Sequence, residues 1–122
     1  MSRIDRVNQE LKKAISEILL FEVKDERVGL LTVTHVKMSA DLKQAKVYYT
    51  VSGDEKKREE VKKGIDSANG FVRQLLAHKM RMKYAPEIIF YFDDTLDRTI
   101  KVEEMLDEIR DEDRKEDQRQ VT

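Results

Sequence analysis

The stretch Gly64–Glu87, GIDSANGFVRQLLAHKMRMKYAPE, decides how the middle of the chain folds. Val61, Ile65, Ala68, Val72 and Leu75 recur at three- and four-residue steps, as one face of an α-helix does, yet Asn69 and Gly70 interrupt the stretch in its middle. One straight helix from Glu55 to Met80 would be roughly 39 Å long, whereas a strand of about eight residues spans roughly 26 Å. A break at Asn69-Gly70 would let two shorter helices lie across one sheet. Its local cost, on the order of 1.5 kcal/mol, is small against burial of two apolar arcs. The expectation is therefore two helices joined at Ala68, Asn69 and Gly70. In the second, Phe71, Val72, Leu75, Leu76 and Met80 face inward, and Gly70 is needed for its backbone angles or for close approach of a neighbour.

Outward from this stretch the elements follow in order. Ser2 and Asp5 form a capping-box pattern, and Ile4, Val7, Leu11, Ile15 and Ile18 line one face of a helix expected from about Arg3 to Val23. The segments VGLLTVTHVKMS and QAKVYYTVSG are rich in β-branched and aromatic residues and are separated by the polar SADLKQ. They read as an alternating hairpin of strands at about Leu31–Ser39 and Ala45–Ser52. Pro86 introduces a third strand, EIIFYFDD. The segment DDTLDRTIKVEEMLDEIR then reads as a helix capped by Asp94 or Thr95, with Ile100, Val102, Met105, Leu106 and Ile109 facing inward. The expected order is αββααβ plus a C-terminal helix. Residues 1–110 form one domain, and the acidic residues 111–122 are expected to be disordered.

The 122 residues are enough for a single core, and no cysteine is present to staple it. A reducing cytoplasm fits this usage best, and short apolar runs such as Ile18–Phe21 neither export nor span a membrane. The net charge of −1 hides a division. Residues 1–92 carry 18 Lys and Arg against 13 Asp and Glu, while residues 93–122 carry 6 against 12. This describes either a well-solvated charged surface or a mildly basic, polyanion-binding body with an acidic end.

No nucleophile elbow, glycine-rich phosphate loop or pair of histidines at metal-ligand spacing is present, so no catalytic residue is assigned. Asp93, Asp94 and Asp97 read better as helix-capping carboxylates than as magnesium ligands. His35 reads as an ordinary, partly exposed strand residue. The informative surface follows the break: Arg73, Gln74, Ala77, His78 and Arg81 occupy the helix half opposite the apolar arc, with no acid among them, and Lys83 extends the basic run HKMRMK. Such a face suits phosphate and sugar contacts, with Tyr48, Tyr49, Tyr84 and Tyr91 as stacking candidates. Arg3, Arg6 and Lys13 add positive charge on the first helix, where Glu10 and Glu17 share the face. The RNA-binding set expected from these faces is Arg3, Arg6, Lys13, Arg73, Gln74, His78, Arg81 and Lys83.

The hairpin VTHVKMSADLKQAKVYYTVSG, the SANGFVRQLL passage and MRMKYAPEIIFYFDD, in this order and spacing, resemble ribosome-binding factor A, a family of bacterial small-subunit maturation factors. The likeness covers about residues 2–110. It implies an α+β, type II KH-like domain in which an Ala-x-Gly kink, here Ala68-Asn69-Gly70, replaces the Gly-x-x-G loop of ordinary KH domains, and it adds Asn69 and Gly70 to the expected RNA-binding residues. It also implies a non-enzymatic, cofactor-free, monomeric protein that takes no small-molecule substrate and does not associate with membranes. Such a factor binds the free 30S subunit and its 16S rRNA, assists late maturation and processing of the rRNA 5′ end, and serves cold adaptation. The alternative is a protein-binding scaffold that engages a basic partner through its acidic C-terminal helix and tail.

Overall fold

The computed structural model describes residues 2–120, apart from the side chains of residues 96, 97, 100 and 111–120. Helix α1, Arg3–Glu17, opens with the expected capping box: the Asp5 amide donates to the Ser2 hydroxyl and the Ser2 amide to the Asp5 carboxylate. It runs directly into a π-helical turn, Ile18–Glu22, so the expected helix is present with its last turn widened. A 3₁₀ turn, Glu26–Leu30, follows, started by Asp25, which accepts from the Arg27 amide and pairs with the Arg27 guanidinium at 2.6 Å. No signal for this turn was read from the sequence.

Strands β1 (Leu31–Met38) and β2 (Gln44–Val51) pair antiparallel, and β3 (Glu87–Phe92) pairs parallel to β2, which is therefore central. The SADLKQ turn is tied internally: the Asp41 carboxylate accepts from the Ser39 hydroxyl and the Lys43 amide, and both bonds hold its pKa below the usual value. Strict alternation fails in β1. Val33, Val36 and Met38 are all buried, and the register shifts between Val33 and His35, leaving a bulge at Thr34. The apolar pattern required this, since Val33 and Val36 share a face only if an extra residue lies between them.

Helix α2, Glu55–Lys79, is a single helix through Ala68, Asn69 and Gly70, which corrects the expected division into two. Its buried stripe, Val61, Gly64, Ile65, Ala68, Val72 and Leu76, keeps one phase from end to end. A break would lose that phase. The long helix does not overhang, because the sheet is not its only support: Val28 of the 3₁₀ turn packs under Gly64, and α1 supports the far half. A β-carbon on Gly64 would lie 3.0 Å from Val28 Cγ2 and 3.2 Å from Arg27 Cβ, whereas one on Gly70 would meet nothing within 4 Å. The close-approach glycine is therefore Gly64. Gly70 sits in ordinary helix on the exposed side. Asn69 is half-buried and donates from Nδ2 to the Ile88 carbonyl at 3.1 Å, bonding the helix to β3. Phe71, expected inward, is 49% exposed.

Both helices lie on one face of the sheet. Leu11, Ile15 and Ile18 pack with Val36, Val47, Val72 and Leu76, while Val61 and Ile65 pack on Tyr49, Phe90 and Phe92 at the other end. The result is an α+β, KH-like two-layer domain. Helix α3 (Thr95–Gln120) leaves the end of β3, and the expected boundary at Arg110 is not a helix end. Residues 121 and 122 of the expected disordered tail lie outside the described residues. Val102, Met105, Leu106 and Ile109, expected to face inward, are 47–56% exposed; the side chain of Ile100 lies outside the description. Their spacing was read correctly as one helical stripe, but the core closes without them.

Candidate nucleic-acid interface

The C-terminus of α2 is closed by a Schellman arrangement: the Arg81 amide donates to the His78 carbonyl at 3.2 Å and the Met82 amide to the Ala77 carbonyl at 2.9 Å. Arg81 takes the left-handed conformation, φ 52°, that this cap requires and that glycine adopts with least strain. Arg81 therefore lies past the helix end rather than on the helical face assigned to it. The cap turns the chain so that Met82 packs on the core while Arg81, Lys83 and Tyr84 remain exposed.

From here the chain passes the β1–β2 turn, and an open cleft of about 600 Å³ lies between them. Lys43, Arg73 and Lys83 line it with Leu42, Tyr84, Asp41 and Glu87. Arg73 donates from Nη2 to the Ala85 carbonyl at 3.1 Å, which holds the guanidinium at the cleft wall and leaves its other N–H groups free to reach a ligand. Lys83 Nζ lies 5.5 Å from the centre of the Tyr84 ring, which is itself 77% exposed. Two carboxylates share the cleft. That of Asp41 is engaged within its own turn, and Glu87 stands at the start of β3. The arrangement suits phosphate contact by three cations with one ring for a base.

The expected residues are only partly brought together. Arg73 and Lys83 share the cleft; Gln74 and His78 are exposed on α2, and Arg3, Arg6 and Lys13 are exposed on α1, outside the cleft lining. Gly70 is exposed and Asn69 faces β3. Lys43 and Leu42 were missed. The signal for them was an apolar residue inside a polar turn, since Leu42 is exposed and left-handed at φ 61°. Tyr49, considered for stacking, is buried edge-on to Phe90 and Phe92, and that burial raises its pKa. Tyr48 and Tyr91 lie on the opposite sheet face from the helices.

Asp93 has a capping role. Its carboxylate accepts from the Thr95 amide and hydroxyl at the start of α3, and from the Thr34 hydroxyl at 2.7 Å. These bonds, led by that from the Thr95 hydroxyl, lower its pKa to about 2. Asp94 pairs with Arg98 at 3.0 Å, and the Asp97 side chain lies outside the description. Among the described residues no group of three or more His, Asp or Glu is placed to hold a metal ion.

The family model for ribosome-binding factor A matches residues 3–106. The ribosome-binding factor A of Halothermothrix orenii is 44% identical over 104 residues, which cover 85% of each chain. That of Geobacter sp. strain M21 is 40% identical over 106 residues, covering 87% of this chain and 89% of the other. Among solved structures, the crystal structure of ribosome-binding factor A from Thermus thermophilus superposes with a TM-score of 0.65 at 27% identity, covering 74% of this chain and 96% of that one. The solution structure of a Thermotoga maritima protein described as a putative ribosome binding factor A gives 0.63 at 31% identity, covering 71% and 83%. A Thermus thermophilus homology model fitted into the cryo-EM map of a 30S complex gives 0.59 at 28% identity, covering 70% and 90%. The match over nearly the whole folded body, together with these identities, places the chain in the ribosome-binding factor A family.

Proposed function

We propose that this protein binds the free small ribosomal subunit, contacts its 16S rRNA, and assists late maturation of that subunit, including processing of the rRNA 5′ end. The observation that carries this reading is the likeness to the ribosome-binding factor A fitted into a 30S complex. The cleft supports it, since Lys43, Arg73 and Lys83 offer phosphate contacts beside an exposed ring. In this reading the RNA-contacting residues are Arg73, Arg81 and Lys83 first, with Arg3, Arg6 and Lys13 on α1, Gln74 and His78 on α2, and Asn69 and Gly70 beside them. The protein acts as a binding factor, as a monomer, and requires no cofactor. No helix among the described residues is long and apolar enough to cross a membrane.

The test is co-sedimentation with purified 30S subunits and with assembled 70S ribosomes, paired with mapping of 16S 5′ ends in cells lacking the protein. Binding to 30S alone and accumulation of 5′-extended precursor are expected. Equal binding to both particles with mature ends would reject the reading. A second reading, a scaffold acting through its C-terminal helix, is favoured by the exposed stripe Val102, Met105, Leu106 and Ile109. Loss of subunit binding in the protein truncated after Asp94, with the cleft variants unaffected, would select it.

A further inference from the structure

The sheet face away from the helices carries a second constellation. The bulge at Thr34 turns His35 outward between buried Val33 and Val36, in register with Tyr48, which is in register with Tyr91. The three rings form a row across all three strands, with centres 5.8 Å apart between His35 and Tyr48 and 5.6 Å apart between Tyr48 and Tyr91. The next outward row is Lys37, Lys46 and Ile89, again in register, and both lysines are exposed. Acids near the ring row are already occupied: Asp93 accepts from Thr34 and Thr95, and Asp94 pairs with Arg98, which also lines the hollow beside Tyr48 and Tyr91. Neither Lys37 nor Lys46 has an ion-pair partner among the described residues.

We propose that this open sheet face is a stacking platform for two or three successive unpaired bases of single-stranded RNA, with His35, Tyr48 and Tyr91 as its rings and Lys37 and Lys46 contacting the adjacent phosphates. Every base has a π face, so a row of rings on neighbouring strands accepts consecutive bases, while lysines one row away meet the backbone. A row of solvent-facing rings adds little to the fold on this side, because among the described residues the buried core lies on the other. The two cations without ion-pair partners favour a polyanion over a neutral partner, and the row of rings favours unpaired bases over an acidic helix, which offers no π faces. The platform is distinct from the cleft at Arg73 and Lys83, and it rests on the proposed function only in that both ligands are RNA.

The test titrates the full chain with fluorescein-labelled rA10 and rU10 decamers and a duplex RNA control at several salt concentrations. The protein has no tryptophan, so quenching of tyrosine emission in a Tyr84→Leu background, which removes the ring of the other cleft, reports stacking on the sheet face. Tyr48→Leu and Tyr91→Leu keep side-chain bulk while removing the ring, and each is expected to weaken decamer binding by about fivefold or more. Lys37→Gln with Lys46→Gln is expected to lower the salt slope by about 1.4, roughly 0.7 for each phosphate contact to a single strand. Should a tyrosine variant fail to fold, backbone amide shifts in the parent protein replace it, and perturbation centred on His35, Lys46, Tyr48 and Tyr91 is expected. Decamer binding that is unchanged in the ring variants, equal affinity for the duplex, amide shifts confined to the Arg73–Lys83 cleft, or no decamer binding at all would overturn the platform. Because subunit co-sedimentation is read separately, loss of the platform and loss of the proposed function are distinguishable.

Discussion

Two glycines in one helix show how much a single β-carbon decides. Gly64→Ala is expected to destabilise the protein by about 1–3 kcal/mol, because the new carbon would sit 3.0 Å from Val28 Cγ2 and 3.2 Å from a backbone-proximal carbon of Arg27. Gly70→Ala has open space and is expected to stabilise by about 0.5–1 kcal/mol through helix propensity and a less flexible unfolded chain. Urea midpoints of the two variants measure both, and a reversed order would contradict the packing of α2. At Asp93 the expectation concerns pH. Its folded pKa of about 2 lies below the ordinary 3.8, so its stabilisation is complete above about pH 4 and is lost as pH falls through 2. Asp93→Asn is expected to lower stability at pH 7, with the gap from the parent narrowing between about pH 4 and pH 2 and nearly vanishing below. A gap that persists in denaturation curves below pH 2 would show that the carboxylate's charge is not what matters there.

The elements of the body were legible because each is written in a strong local pattern, whereas their joints were not. The capping box, the hairpin and the Pro86-led strand declare themselves through neighbours in sequence. The continuity of α2 depends instead on Val28 and α1, which lie far from it in the chain, so neither its local composition nor its length against the sheet reveals it. For the same reason the exposure of Arg73 and Lys83 is legible in the local sequence, whereas their meeting with Lys43 across the β1–β2 turn is not. Replacing Arg73, Arg81 and Lys83 together by glutamate is expected to leave the circular dichroism unchanged and to abolish subunit binding. Lys83→Ala alone is expected to lower the salt slope by about one counterion. Full binding by the folded triple variant would move the subunit contact to Arg3, Arg6 and Lys13.

For the molecule as a whole, the division into a basic body and an acidic end was visible in the charge count, while the way α3 stands off from the core was not. Val102, Met105, Leu106 and Ile109 carry the spacing of a buried stripe, and only the completed core shows that it closes without them. Truncation after Arg110 is therefore expected to leave the melting temperature within a few degrees and to tighten RNA binding slightly, since it removes more acids than bases. A drop of more than about 10 °C in a thermal melt would place residues 111–122 within the cooperative unit. The parallel pairing of β3 with β2 has a kinetic consequence. The β1–β2 hairpin closes through a short turn, but β3 reaches its partner only after residues 52–86 have crossed the sheet as α2, so its closure entropy is met late. The native ensemble is then expected to open first by releasing this strand. The Lys43 and Tyr49 carbonyls accept from the Glu87 and Asp93 amides, so the alternate residues Ala45, Val47 and Tyr49 point their own amides toward β3. Those amide protons are expected to exchange with deuterium sooner than the Lys46 and Tyr48 protons held within the hairpin, through an excursion that leaves the remaining layers intact.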